Sequence, residues 1–239
     1  MKNVLTSLHN NNNMKNIAII FSVVCTQLWS AQSVYLSKVE KTNDNADKFL
    51  YKKDQAETSA VYLGEAEVQG FSKDDAMVFS LVYKKAKEIG ANTFVIKPFE
   101  NIDGSPQAFN ASNYKIALYY TPKEKLKVQE GAMYIFASSE KDQKINVNRK
   151  DYIVAPRTFL KLKIVPGEVY TISTKKLLGS TVKVQPKTND ENLYFQVSSL
   201  KIKPDASGVG GLNLKSGDVV GLDKSYAEFL SAIYTEKTP

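Results

Sequence analysis

The stretch Ser72–Ile96 reads SKDDAMVFSLVYKKAKEIGANTFVI, and its reading decides the first half of the chain. From Lys73 to Ile89 the apolar residues Phe79, Val82, Tyr83, Ala86 and Ile89 fall on one helical stripe, while Lys84, Lys85, Lys87 and Glu88 face water. Ser72, with Asp75 three residues on, resembles a capping box in which Ser72 accepts from a free helix N–H. Gly90 is the expected left-handed C-cap, and Thr93–Ile96 a short buried strand. Upstream, Val61–Val68 carries the broken alternation of a strand covered on one face. Downstream, the turn residues Asp103-Gly104-Ser105-Pro106 lead to Tyr114–Tyr120, a clean alternating strand. Residues 60–121 are therefore expected to form a βαββ unit.

The character changes after the charged connector, 122–131. Strands are expected at 132–137, 144–148, 151–155, 158–165, 168–174, 180–185 and 192–200. They are punctuated by Asn148-Arg149, Pro166-Gly167 and Lys187-Thr188-Asn189-Asp190. Short strands at close spacing argue for a β-sandwich over 132–239. Asp223 can cap a closing helix whose Tyr226, Phe229, Leu230 and Ile233 form a stripe expected to dock on that sandwich. Residues 32–59 are mostly polar and read as an irregular lead-in, with order starting near Ala60. The fold class is α+β: a small βαββ domain, then a sandwich-like all-β domain with a short C-terminal helix.

Ala86-Lys87-Glu88-Ile89-Gly90-Ala91-Asn92-Thr93-Phe94-Val95-Ile96 resembles the KA-x-x-x-GAN signature of small bacterial envelope βαββ domains, YbjQ-like and RcsF-like. The signature is mainly structural. The heavy-metal binding in the name of the first group would need Cys or His ligands, and neither occurs after Cys25. The disulfides of the second group are likewise missing. Tyr134-Ile135, Ile145-Asn146-Val147-Asn148, Leu162–Tyr170 with its central Pro166-Gly167, and Tyr194-Phe195-Gln196-Val197 resemble an uncharacterised family of bacterial lipoprotein β-domains. Asn148-Arg149 stands where that family usually has glycine. This resemblance implies a cell-envelope location and little chemistry.

The single histidine, cysteine and tryptophan are His9, Cys25 and Trp29. Lys15, the apolar run Ile17–Cys25 and the small-residue end at Ala31 are the three parts of a secretory signal peptide over residues 1–31, with Met14 a candidate true start. The run is too short for a spanning helix. Cys25 would instead be acylated in a lipoprotein, although Val24 is bulkier than a lipobox prefers. Removing the leader leaves roughly 200 residues, one large domain or two small ones, and lowers the net charge from +7 to about +5. A Ser-His-Asp triad, a thiol nucleophile and His or Cys metal ligands are then excluded. Arg149 and Arg157 are the only arginines among 32 basic residues, which argues against a nucleic-acid reader.

Other motifs carry little. Asn43-Asp44-Asn45-Ala46-Asp47 places oxygen ligands at alternate positions, but Lys48 stands where a calcium loop needs glycine. Ser138-Ser139-Glu140-Lys141 has S-x-x-K spacing in a strand-to-turn region, and Gly208-Val209-Gly210-Gly211 lacks a phosphate-loop frame. Asn110-Ala111-Ser112 is a formal glycosylation sequon, and Glu191–Gln196 matches a tag-protease site inside an expected strand. Asp74, Asp75, Glu88, Glu168, Asp190 and Glu191 are the acids available for glycosidic hydrolysis, without a sign of convergence. Tyr114, Tyr119, Tyr120, Tyr134, Tyr152 and Tyr170, interspersed with lysines, suit a surface for an envelope glycan or protein partner, or else fill sheet rims and the domain junction. The expectation is an exported, non-catalytic binding or structural module without cofactor, metal or nucleic acid. The alternatives are a carboxylate-dependent hydrolase of envelope polymers and a lipid-anchored stress or assembly factor.

Overall fold

The computed structural model describes residues 33–126, 131–174, 180–188, 191–197 and 219–238. The leader with Cys25, the Gly208–Gly211 run and Asp190 lie outside the described residues. Among those described, fourteen strands form three sheets and two α-helices pack between them. The chain is α+β and sheet-rich. No helix among the described residues is long and apolar enough to cross a membrane.

The first sheet has the order β1-β3-β5-β4-β2: β1 (Ser33–Val39), β2 (Tyr51–Lys52), β3 (Val61–Gln69), β4 (Thr93–Lys97) and β5 (Tyr114–Tyr120). Helix α1 (Asp75–Glu88) joins β3 to β4 and buries Val78, Val82 and Ala86; Phe79 and Tyr83 pack on its shoulder. Its cap differs from the expected one. Asp74, not Ser72, accepts from the N–H of Met77 at 2.9 Å; Ser72 accepts from Asp74 N–H one step earlier. An acid at this position also complements the positive end of the helix dipole.

The lead-in is ordered, unlike the irregular arm expected over 32–59. β1 pairs antiparallel with β3, with Val34 and Leu36 turned toward the core. The chain then crosses the end of α1, where Asn43 N–H donates to Ile89 O at 3.0 Å and Asn45 Nδ2 to Gly90 O at 3.0 Å. Gly90 adopts φ +80, and a Cβ there would lie 1.7 Å from Asn43 O. The glycine thus serves twice, turning the helix end and letting the arm pass. β2 finally pairs parallel to β4.

The second sheet has the order β11-β10-β7-β8, from β7 (Gln143–Val147), β8 (Lys150–Val154), β10 (Tyr170–Thr174) and β11 (Thr181–Val184). Asn148 and Arg149 both have positive φ, 46 and 69, and link β7 to β8 as a two-residue hairpin. The third sheet, β13-β12-β6-β9-β14, contains β6 (Ala132–Phe136), β9 (Thr158–Lys163), β12 (Leu193–Val197) and two strands without a sequence expectation, β13 (Val219–Gly221) and β14 (Thr235–Lys237).

This third sheet is a middle layer. Met133, Ile135, Leu160, Phe195 and Val197 face the second sheet in one apolar cluster. The alternate residues Phe136, Phe159 and Tyr194 face the helices and the first sheet in another. Two-sided burial explains why β6 and β12 read as nearly continuous apolar runs. Helix α2 (Lys224–Ile233), capped by Asp223 as expected, buries Ala227, Phe229, Leu230 and Ile233 in the same cluster as Leu50, Leu63 and Val82. Its stripe therefore docks on both halves of the chain, not on the C-terminal half alone. Leu50 N–H donates to Ser225 Oγ at 3.0 Å, tying the lead-in to this helix.

Candidate functional site

A recess of about 650 Å³ opens where α2 stops covering the middle sheet, and Lys52, Tyr134, Lys161, Lys163, Tyr194 and Glu228 line it. Strand pairing sets this group. Tyr134 on β6 stands opposite Lys161 on β9 and Tyr194 on β12, and Ala132 stands opposite Lys163. Phe159, Lys161 and Lys163 share a face because strand side chains alternate with period two. The aromatic floor is continuous: Tyr134 lies 5.2 Å from Tyr194 and 5.9 Å from Phe159, between ring centres. Lys161 Nζ is 5.7 Å from the centre of the Tyr134 ring.

Glu228 forms the helical wall and is only 4% exposed. It accepts from Tyr194 OH at 3.0 Å. Burial pushes its carboxyl above the usual carboxylate range; the Tyr194 hydrogen bond and the positive charges of Lys224 and Lys52 pull the other way. Lys52 Nζ donates to Ser231 O at 3.3 Å and pairs with Asp54 at 3.4 Å. Asp54 and Glu236 also reach the recess.

A second buried carboxylate, Asp75, lies in the same core, in a closed network. Arg157 Nη2 approaches Asp75 Oδ1 at 2.9 Å and also donates to Ser72 O at 2.8 Å, and Tyr234 OH donates to Asp75 Oδ2 at 2.7 Å. Arg157 holds φ 54, a conformation disfavoured for a long side chain, and its guanidinium bridges the two halves. Burial raises Asp75 above the ordinary range, with Arg157 opposing.

The six sequence-selected tyrosines do not assemble into one surface. Tyr114 and Tyr119 are buried in the first sheet on separate clusters, and Tyr170 is buried in the second sheet, its hydroxyl bonded to Glu168. Tyr120 and Tyr152 are half-buried elsewhere; Tyr134 alone reaches the recess. Tyr194, Lys52, Lys161, Lys163 and Glu228 were not singled out by sequence. Spacing of Lys161 and Lys163 around Leu162 was the available signal, and it becomes informative only once β6 is placed beside them.

The sequence-selected acids are also dispersed. Asp74 caps α1, Asp75 is tied to Arg157, Glu88 pairs with Lys85 and Glu168 holds Tyr170. Glu191 is exposed next to β12, away from the recess lining. Asn45 and Asp47 accept local N–H groups, of Asp47 and Phe49, so the candidate calcium residues pin the lead-in instead. Ser138 Oγ accepts from Lys141 N–H and Gln143 Nε2 within a turn. Among the described residues no three His, Cys, Asp or Glu side chains converge as metal ligands. Comparison with family models, with curated proteins and with solved structures finds no match to this chain.

Proposed function

We propose that the chain is an exported bacterial cell-envelope protein acting as a non-catalytic binding or structural module, with its ligand seated in the Tyr134 recess. The observation that carries this reading is the state of Glu228. The buried acid in the wall already accepts from Tyr194, so it shapes the site rather than standing free as a base. Aromatic floor and basic rim are what a recognition pocket needs. The charged, apolar and small-residue order of residues 1–31 supports export. The β3-α1-β4-β5 succession and the apolar cluster shared by the second and third sheets support a βαββ unit joined to a sandwich.

The test is fractionation of the native host with intact-mass measurement, followed by affinity capture from its envelope extract. The expected result is an envelope-fraction protein lacking residues 1–31 that retains a component which competes at the recess. A cytoplasmic protein with residues 1–31 intact would overturn the reading. The hydrolase alternative draws on Glu228 and Glu236 lining one recess; it requires polymer cleavage that Glu228→Gln and Glu236→Gln each abolish. A mass bearing acyl chains at Cys25 would select the lipid-anchored alternative.

A further inference from the structure

We propose that the recess takes an anionic saccharide, with its carboxylate or phosphate held by Lys161 and Lys163 and a sugar ring laid on Tyr134. This rests on the binding-module reading above and names the ligand class for that site.

The charge around the recess favours an anion. Lys161 and Lys163 form no ion pair among the described residues. Of the acids nearby, Asp54 is engaged by Lys52 and Glu228 by Tyr194, which leaves Glu236 on β14 beside Phe159. Lys161, whose ammonium already lies by the Tyr134 ring, and Lys163 two residues on share one strand face and can grip one acidic group together. Ala132, opposite Lys163, is small and leaves room above the sheet at that end.

Saccharide is favoured over peptide by the position of the site. β6 and β9 are interior strands of the floor, while the edge strands β2 and β14 border the recess through Lys52 and Glu236. An extended peptide would pair along those edges rather than lie on the Tyr134 ring, and oligoglutamate tests that mode. Tyr134 instead offers a half-buried ring beside the buried Tyr194, which suits the apolar face of a sugar ring. The volume lies within the ~300–1,000 Å³ typical of small-ligand sites.

The experiment is calorimetric titration of the full chain with trigalacturonic acid, its methyl ester, maltotriose 1-phosphate and a short oligoglutamate. Lys161→Gln/Lys163→Gln is run beside it, with thermal unfolding to confirm that it folds. An acidic saccharide should bind, the ester should not, and the double variant should bind about tenfold or more weakly, as loss of a charge-assisted contact predicts. The uronide against the phosphate identifies which acidic group is preferred. Equal binding of the ester, undiminished binding by the double variant, or binding of oligoglutamate alone would overturn the inference. A thermal shift with envelope extract decides the rest: if it persists when no defined saccharide binds, the saccharide assignment falls and the binding-module reading stands. If neither binds, both fall.

Discussion

Each helix buries one carboxylic acid in the shared core, and the two acids are treated differently. Asp75 on α1 meets a guanidinium and a phenol in a network closed from solvent on both sides of the junction. Glu228 on α2 meets a phenol, with ammonium groups farther off, at the wall of an open recess. A buried charge needs a compensating charge or it favours protonation. Asp75 has that partner at 2.9 Å; Glu228 relies on the neutral Tyr194 hydroxyl. The first arrangement is a clamp between halves, and the second leaves a polar wall whose charge can respond to what enters beside it.

The strongest way to break this contrast is Arg157→Met, which strands Asp75 without its cation. We expect a loss of about 3–5 kcal/mol, read by urea unfolding. Adding Asp75→Asn should recover part of the loss, because the buried charge is then gone. Tyr194→Phe removes a neutral donor only and should cost about 1–2 kcal/mol, measured in the same assay.

Glu228→Gln tests the sign of the pH effect. Burial holds the folded carboxyl above its unfolded value, so between the two the folded state binds more protons and stability falls as pH rises. The variant lacks that contribution. Its stability relative to wild type should increase from about pH 4 upward and level off once Glu228 is ionised. Lys163→Gln, on the exposed rim, should change stability by less than about 0.5 kcal/mol while weakening any acidic ligand, separating the wall from the rim.

Local signals in the sequence marked α1, Gly90, the central strands and the Asp223 cap, because each is set by residues a few positions apart. They missed β1, whose inward pair Val34 and Leu36 is short and followed by a polar run that resembles a linker. β13 and β14 have three residues each, too few for a period to show. The recess was illegible for a different reason. Its residues come from the lead-in, β6, β9, β12, α2 and β14, and only the pairing of β6 with β9 and β12 brings Tyr134 to the lysines. Tyrosine content alone pointed to residues that the core consumes, such as Tyr114 and Tyr170.

The middle sheet has a consequence for the order of assembly. Its inner face is completed by Phe229, Leu230 and Ile233, its edge by β14, and the lead-in is fastened to α2 from 175 residues away. Contacts of such sequence separation slow folding, since loop closure precedes their reward. The amino-terminal βαββ segment has no finished core until residues 224–237 arrive. The cluster between the second and third sheets, by contrast, draws on no described residue beyond Val219, so the last segment completes one core and leaves the other untouched.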